Sequence, residues 1–254
     1  MTRCPKCHYL RKPGDTHVHE GICPACGIAY RKWLEKQQAA NKQDIQDSDG
    51  IGEHEDAGSN HSLAARLLAT FTWVPEQVDP IAFWLRASLL AAVAAWAGWL
   101  VSHGIDWEII GGSFMHSVNL AFHEFGHVLF SPFGTFMMFL GGSLFQILLP
   151  LVPLAVFSFQ QQDNFSASLM LVWCGQNFID VAPYIRDAEY RGLPLVGGGG
   201  EESHDWGNIL TMLDAVDSCY ALAKASFTIG ILVMLAGFLW GAYILLLQYR
   251  VLRQ

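Results

Sequence analysis

The chain has 254 residues, of which 52% are hydrophobic and only 15% are charged, whereas about a quarter of the residues in an ordinary soluble domain carry charge. This deficit predicts a membrane protein, and the charged residues are concentrated in residues 1–66, ahead of long apolar stretches. The formal net charge of -8 and the lack of an extended Lys/Arg stripe in the sequence argue against a nucleic-acid partner, because a phosphate backbone is bound by clustered cations.

Two Cys-x-x-Cys pairs lie close to the N-terminus with fifteen residues between them, and they consist of Cys4, Cys7, Cys23 and Cys26. This spacing predicts a zinc ribbon over residues 1–36, in which four thiolates hold one structural Zn2+ ion. Because so short a segment cannot bury a sufficient core, the metal would supply its folding free energy. Thiolates kept for zinc indicate a reducing compartment, so we expect the ribbon to be cytosolic.

The next two segments predict a tether and a surface helix. Residues 37–62 are polar and acidic without apolar periodicity, which predicts a disordered linker. Residues 63–80 carry an apolar pattern that ends at Pro75, which predicts a short interfacial helix on a membrane surface. The remaining residues, 81–254, are predicted to form a transmembrane domain.

Five apolar segments approach the roughly 20 residues that a helix needs to cross a bilayer. They lie at about 81–101, 109–131, 134–159, 167–186 and 225–247. The predicted fold is therefore a mainly α, polytopic helical membrane bundle of about five spans, with a small Cys4 zinc ribbon at its N-terminus. Pro150 and Pro153 in the third segment predict a kink or a partly re-entrant path.

The charges do not agree on one orientation for five spans. The loop with His103, Asp106 and Glu108 is typical of the external side, whereas Arg250 and Arg253 are typical of the cytosolic side. An odd number of spans cannot leave both the ribbon and the C-terminus in the cytosol. We keep the ribbon inside and leave four or six spans open as alternatives.

The second segment contains the motif His123-Glu124-Phe125-Gly126-His127. Histidines four residues apart project from one face of a helix and can bind a single Zn2+ ion. Glu124 can then act as the general base on a zinc-bound water. Solvated side chains on a soluble helix are the alternative, but the flanking residues in VNLAFHEFGHVLF are apolar, and ionisable side chains within a membrane are costly and usually functional.

A polar stripe precedes the motif on the same helical face. His116 and Asn119 lie seven and four residues before His123, so they are expected to face the bundle interior or a water-filled cavity. They are candidates for hydrogen bonds to the metal ligands or for a water path, and ordinary hydrogen bonding between helices explains them equally well.

A catalytic zinc needs a third protein ligand and an open position for water. In the fourth segment, Asn177, Asp180 and Asp187 share a helical face. Asp180 lies at the depth of the two histidines if the second and fourth segments run in the same direction, whereas Asp187 lies at the membrane boundary. His204 and Asp205 are candidates from outside the membrane, provided that the glycine-rich loop before them folds back over the site.

These motifs resemble those of the site-2 protease family of intramembrane metalloproteases over about residues 109–190. The His-Glu-x-x-His segment resembles the zinc-binding helix of the family, and Gly142-Ser143-Leu144-Phe145-Gln146 resembles its next, glycine-led segment, with Gln146 where Asn is usual. The stretch from Asn177 to Asp187 resembles a late motif that ends in a ligand Asp. Its spacing is longer than usual, and Ala188 stands where the family has Gly. Motif order favours Asp187 as the ligand.

The resemblance implies a zinc metallopeptidase that hydrolyses a peptide bond in a membrane-spanning protein or peptide. One catalytic Zn2+ ion would be bound by His123, His127 and a third ligand, with Glu124 as the catalytic residue. The resemblance favours Asp187 as this ligand, whereas depth along the helix favours Asp180, and both stay open. Five polar side chains would surround these ligands: His116, Asn119, Gln146, Asn177 and His204.

Two other functions stay open from the sequence. A membrane adaptor or zinc sensor could use the ribbon to recruit a partner, although binding alone does not need a general base such as Glu124. A membrane hydrolase could also use the same zinc chemistry on a substrate other than a peptide. Gly237 and Gly241 in the fifth segment form a small-x-x-x-small spacing, which permits a homodimer and equally permits packing within the chain.

Overall fold

The computed structural model describes residues 3–16, 18–34, 63–194, 200 and 203–254. The chain divides into two compact units, Met1–Asn60 and His61–Gln254. The predicted linker, residues 37–62, lies outside the described residues. Within the described residues the protein is mainly helical, and its β pairing consists of two isolated bridges, Arg3 with Leu10 and Ile22 with Ala29.

The described part of the second unit contains nine α-helices. They are α1 (Leu63–Thr72), α2 (Pro80–Ser102), α3 (Trp107–Gly111), α4 (Phe114–Phe130), α5 (Thr135–Leu148), α6 (Leu151–Ala155), α7 (Asn164–Arg186), α8 (Asp205–Met212) and α9 (Cys219–Leu252). Polar side chains fix several helix starts. The Asp79 carboxylate accepts the N–H groups of Ile81 and Ala82 at the start of α2, because the first N–H groups of a helix have no partner within it.

Three helical stretches among the described residues are long and apolar enough to cross a membrane: Pro80–Ser102, Thr135–Gln161 and Val216–Leu252. They correspond to the first, third and fifth predicted segments, so the prediction of five spans is not confirmed. The second segment breaks where Ser113 accepts a hydrogen bond at the start of α4, which leaves a helix of 17 residues. The fourth segment is α7, which is 23 residues long but carries many polar side chains.

Helix α7 is the buried centre of the unit and packs antiparallel against α9 through glycines. A Cβ atom placed on Gly175 would lie 2.7 Å from the Gly230 carbonyl oxygen, and one on Gly237 would lie 2.8 Å from Val172 Cγ2. A Cβ on Gly241 would likewise lie 2.7 Å from Ser168 Oγ. The glycine face of α9 is therefore covered by α7 of the same chain.

The bundle has two ends that can be identified by contacts. At one, which we call the α1 end, the rings of Phe83 and Tyr249 lie 5.8 Å apart, and the Asn164 side chain donates to the Thr70 carbonyl oxygen at 2.7 Å. At the other, which we call the loop end, Arg186 donates to the Ile105 carbonyl oxygen at 3.1 Å. Helices α2 and α7 thus run from the α1 end to the loop end, and α9 runs back.

The stretch Thr135–Gln161 also runs from the loop end to the α1 end. Near its start, Phe136 packs in a cluster with Ala188 and Cys219. Near its finish, the rings of Phe159 and Phe71 lie 5.6 Å apart. The predicted irregularity at the prolines is present, because α5 stops at Leu148 and α6 starts anew at Leu151.

Helices α3 and α4 stay in the half of the bundle nearest the loop end. The Ile110 side chain of α3 is buried in a cluster with Ala97, Leu100 and Ile179, and α4 leads directly into the start of α5. A Cβ on Gly126 would lie 2.9 Å from Gly142 Cα, so the small residue inside the histidine motif allows α4 and α5 to form a tight hairpin.

Candidate functional site

The four predicted ribbon cysteines form one cluster. Their Sγ atoms all lie within 4.8 Å of one another, with 3.7 Å between Cys4 and Cys26 and 3.6 Å between Cys7 and Cys23. Burial opposes ionisation of the Cys23 thiol, but hydrogen bonds from the backbone N–H groups of Cys26 and Ala25 lower its pKa to about 6. Four thiols at this separation can hold one metal ion, and thiolate ligands favour zinc.

The two halves of the cluster repeat the same backbone turn. The His8 N–H donates to the Cys4 carbonyl oxygen at 3.0 Å, and the Gly27 N–H donates to the Cys23 carbonyl oxygen at 2.9 Å. Both residues that follow the pairs have positive φ, 59° at His8 and 70° at Gly27. Glycine suits this conformation because it has no Cβ, so Gly27 is well placed in the turn after the second pair.

A second group of side chains that could hold a metal ion lies in the helical unit, and its third member is Asp205. One carboxylate oxygen, Asp205 Oδ2, lies 3.1 Å from His123 Nε2 and 3.2 Å from His127 Nε2. His123 and Asp205 are buried, and His127 is half-buried. Two imidazole nitrogens and one carboxylate oxygen, all within 4.8 Å of one another, match the three-ligand donor set of catalytic zinc sites.

The other nitrogen of each histidine ring is held by an acceptor. His123 Nδ1 lies 3.0 Å from Gln146 Oε1, and His127 Nδ1 lies 2.7 Å from the Met138 carbonyl oxygen. Because both partners are carbonyl oxygens, each Nδ1 carries the proton. Each Nε2 faces Asp205 Oδ2, and a metal ion bound among these three atoms would take the lone pairs of both nitrogens, the arrangement found at metal-binding histidines.

Gly142 in the predicted glycine-led segment leaves room for both rings. A Cβ atom on this residue would lie 2.6 Å from His123 Nε2 and 2.7 Å from His127 Cε1. Any side chain here would push on the ligand atoms themselves. The glycine is therefore a requirement of the site geometry as well as of helix packing.

Asp205 reaches the histidines because the preceding residue anchors the start of α8. His204 Nδ1 accepts the Gly207 N–H at 2.9 Å, and His204 Nε2 lies 3.2 Å from Asp187 Oδ2. Burial lowers the pKa of His204, against the opposing effect of Asp187. A neutral ring with its proton on Nε2 satisfies both contacts, so Asp187 ties the end of α7 to the start of α8.

Two further contacts hold α8 in place. The Trp206 indole N–H donates to Ser143 Oγ at 3.0 Å, which connects α8 to α5 beside Gly142. Arg191 donates to Thr211 Oγ1 at 3.0 Å, which connects the segment after α7 to the last turn of α8. The carboxylate of Asp205 is thus placed by contacts on both sides of its helix.

The two histidines and Asp205 open into a cavity of about 400 Å3. Glu124 lies on its wall beside the ligands, and the remaining wall is partly apolar and partly polar. It includes Trp107, His116, Leu120, Gln146, Asp180, Val181, Tyr184, Pro194 and Ser203. A carboxylate next to three metal-binding groups in a concave site provides both a candidate base and room for a ligand.

Asp180 lies near the site but does not contact the two Nε2 atoms. Its Oδ2 accepts hydrogen bonds from Gln146 Nε2 at 2.7 Å and from Asn119 Nδ2 at 3.2 Å, and its Oδ1 lies 3.1 Å from His116 Nδ1. The depth prediction assumed that the second and fourth segments run in the same direction. Contacts along α4 instead pair with α7 in reverse order, His116 with Asp180 and Phe122 with Trp173, and Gln146 lies between Asp180 and His123.

The other predicted third ligand is also engaged elsewhere. Asp187 is bonded to His204 and accepts the Leu193 N–H at 2.8 Å, so the structure places Asp205, and neither of the two acids first predicted, against both histidines. Asn177 donates to the Trp173 carbonyl oxygen in its own helix at 3.1 Å, one turn away from the network around Asp180.

Sequence reasoning gave too little weight to two residues. Asp205 was an outlying candidate, because nothing in its local pattern shows that the loop before it returns to the histidines. Tyr184 was not singled out, although it follows Asp180 by one helical turn, and a search for side chains one turn from the acids would have found it. Its ring lies 4.4 Å from the ring of His204 and 6.1 Å from that of His123.

Comparisons of this chain with protein-family models, curated proteins and solved structures gave no match.

Proposed function

We propose that this protein is an intramembrane zinc-dependent endopeptidase that hydrolyses a peptide bond of a membrane-spanning protein substrate. One observation carries the proposal: Asp205 Oδ2 lies within 3.2 Å of the Nε2 atoms of both motif histidines, in a cavity that Glu124 also lines. Metal binding alone would need the three ligands, whereas hydrolysis also needs a base beside them.

The residues divide into ligands and a base. His123, His127 and Asp205 would hold one Zn2+ ion, which supplies Lewis acidity and makes water a stronger acid when it is bound. Glu124 would take a proton from the attacking water as its oxygen bonds to the scissile carbonyl carbon. When the C–N bond breaks, Glu124 would return that proton to the leaving amine. The apolar part of the cavity wall would limit the access of bulk water to these charges.

The bundle supports four membrane crossings rather than five. We infer that α2 and α7 cross from the α1 end to the loop end, and that Thr135–Gln161 and α9 cross back. Helix α4 lies within the loop-end half. An even number of crossings leaves α1 and the C-terminus on the same side, which removes the conflict between the expected positions of the two termini.

The basic residues indicate which side is cytosolic. Arg66, Arg86, Arg250 and Arg253 lie toward the α1 end, and eight further Lys and Arg precede α1 with no apolar span between. This side would thus carry twelve of the fifteen basic residues. Because cytosolic segments are enriched in Lys and Arg, we propose a multi-pass protein with its zinc ribbon in the cytosol and its catalytic cavity toward the opposite face.

The test combines metal analysis with cleavage. The full chain would be purified in detergent, and bound zinc would be measured in the wild type, Glu124→Gln, Asp205→Ala and the double variant His123→Ala/His127→Ala. Cleavage of single-span membrane substrates would be scored in parallel. A Cys4→Ser/Cys23→Ser variant is the matched control, because it removes only the ribbon metal.

We expect about two zinc ions per wild-type chain. The double histidine variant should keep one zinc, the Asp205 variant should bind the second zinc much more weakly, and Glu124→Gln should keep both but lose cleavage. If the double histidine variant binds as much zinc as the wild type, or if Glu124→Gln cleaves as fast, the protease assignment is wrong. Metal binding without cleavage by the wild type would favour an adaptor or sensor.

A further inference from the structure

We propose that Asp180 is a positioning residue that acts on His123 through Gln146. It would fix which nitrogen of the His123 ring carries the proton, and thereby keep Nε2 available for the metal. This inference rests on the proposed function, because it assumes that His123 binds a metal ion.

The hydrogen bonds along this path have only one possible direction. A carboxylate accepts hydrogen bonds and donates none, so the group of Gln146 that faces Asp180 at 2.7 Å is its NH2. The amide oxygen of Gln146 then faces His123 Nδ1 at 3.0 Å. A carbonyl oxygen likewise only accepts, so Nδ1 carries a ring proton. Nε2 faces Asp205 Oδ2 at 3.1 Å, and a metal ion bound between these two atoms would take the Nε2 lone pair.

Asp180 is itself held in a fixed position. Its side chain is almost completely buried, and Asn119 and His116 donate to it in addition to Gln146. The orientation of the Asn119 amide is fixed in turn, because the Trp173 indole N–H can only donate and lies 2.9 Å from Asn119 Oδ1. The Asn119 NH2 group also donates to Gln176 Oε1 at 2.8 Å. The three donors to Asp180 are therefore the side chains of Gln146, Asn119 and His116.

Removing the carboxylate would release this control. An amide without an acceptor-only partner can rotate by 180°, and Gln146 would then present its NH2 group to His123. In that orientation Nδ1 must accept, the ring proton moves to Nε2, and the nitrogen that points at the metal position is blocked. A carboxylate at position 146 would behave differently, because both of its oxygens accept and either can take the Nδ1 proton.

This difference gives a rescue experiment on the full chain. Asp180→Leu keeps the branched shape of the side chain and removes its acceptors. Asp180→Leu/Gln146→Glu restores an acceptor next to His123 and leaves the net charge equal to that of the wild type. Ser226→Ala is the control, because Ser226 also donates a buried hydrogen bond within the core, to the Phe178 carbonyl oxygen at 2.7 Å, away from this network.

The probe is Co2+ added to metal-free protein in competition with a chelator. Cobalt bound by thiolates has strong charge-transfer absorption, whereas cobalt bound by two histidines and a carboxylate has only weak ligand-field bands. The four-cysteine site and the helical site can therefore be followed in one sample. The cysteine site serves as an internal reference whose affinity should not change in any of these variants.

We expect Asp180→Leu to weaken Co2+ binding at the helical site by about 10- to 100-fold, the range for lost hydrogen-bond partners of metal ligands. The double variant should recover to within about threefold of the wild type, and Ser226→Ala should bind like the wild type. Unchanged affinity in Asp180→Leu overturns the inference, as does weakened affinity that the double variant fails to restore. If the wild type binds cobalt only at its thiolates, the proposed function fails and the inference with it.

Discussion

Gly142→Ala tests the proposed metal site through a single methyl group. The new Cβ would lie 2.6 Å from His123 Nε2, whereas ordinary van der Waals contact begins at 3.4 Å, so the ring or the helix must move by about 0.8 Å. The atoms in the way are the tips of two histidine side chains, which can turn aside without moving the backbone. We therefore expect the metal ligands to be displaced while the fold is kept.

The expected magnitudes follow from this displacement. Ligand groups must usually stay within about 0.5 Å of their productive positions, and an error of about 1 Å can lower a rate by about 100-fold. For folding, an alanine in a helix gains up to about 1 kcal/mol over glycine, and a strained rotamer costs about 0.5–1.5 kcal/mol. The net change in the free energy of unfolding should therefore be close to zero.

The assay measures bound zinc, thermal unfolding and cleavage in three glycine variants. Gly142→Ala should unfold near the wild-type temperature but lose the second zinc and cleavage. Gly126→Ala should lower the unfolding temperature, because its Cβ would lie 2.9 Å from the Gly142 backbone. Gly98→Ala should leave bound zinc and cleavage unchanged and should not lower the unfolding temperature, since no atom lies within 4 Å of its Cβ and alanine is the better helix former. Wild-type zinc affinity and cleavage in Gly142→Ala would refute this account of the site.

Three further predictions concern a hydrogen bond beside the site, the four-cysteine cluster and the packing of α7 against α9. Trp206→Phe and Ser143→Ala remove the two partners of one hydrogen bond, so each should lower the free energy of unfolding by about 1 kcal/mol. In a double-mutant cycle of thermal unfolding, the double variant should lose little more than either single variant. Fully additive losses would contradict a shared bond. Cys4→Ser/Cys23→Ser should remove one zinc ion per chain and leave zinc bound at the helical site. Metal analysis of the purified variant checks this, and loss of both ions would show that the two sites are not independent. Gly175→Ala places a Cβ 2.6 Å from the Met234 backbone nitrogen, so it should lower the free energy of unfolding by about 1–3 kcal/mol. Gly98→Ala is the control. An unchanged unfolding temperature in Gly175→Ala would contradict close backbone packing between α7 and α9.

The number of crossings shows where a sequence argument from length and hydropathy stops. The segment at 109–131 is apolar enough to suggest a span, but the start of α4 at Phe114 shortens it, and α4 returns to the loop end. Helix α7 can carry polar side chains because it is surrounded by protein, so hydropathy does not identify it as a membrane-length apolar helix. Burial by neighbouring helices, and not composition, determines which of these two segments is central.

The acid that lies against the two histidines shows the same limit at the level of one residue. Asp180 and Asp187 lie on the predicted helical face, and both are engaged near the site: Asp180 bonds to Gln146, and Asp187 bonds to His204. Asp205 is the acid that contacts both histidines, and it comes from a short helix reached through a loop. Helical periodicity indicated which face mattered and could not indicate which acid would reach the ligands.

What the sequence alone determined are the features that depend on short spacings and on composition. The two Cys-x-x-Cys pairs predicted the four-cysteine cluster, the spacing of His123 and His127 predicted one shared helical face, and the apolar composition predicted membrane-length helices. These follow from the geometry of a turn or a helix within a few residues. Only the tertiary structure decided that Asp205 completes the group, that Gln146 lies between His123 and Asp180, and that the α9 glycines pack against α7. Each of these is a contact between residues far apart in the chain, and it depends on how helices cross and where loops return, which no local pattern encodes.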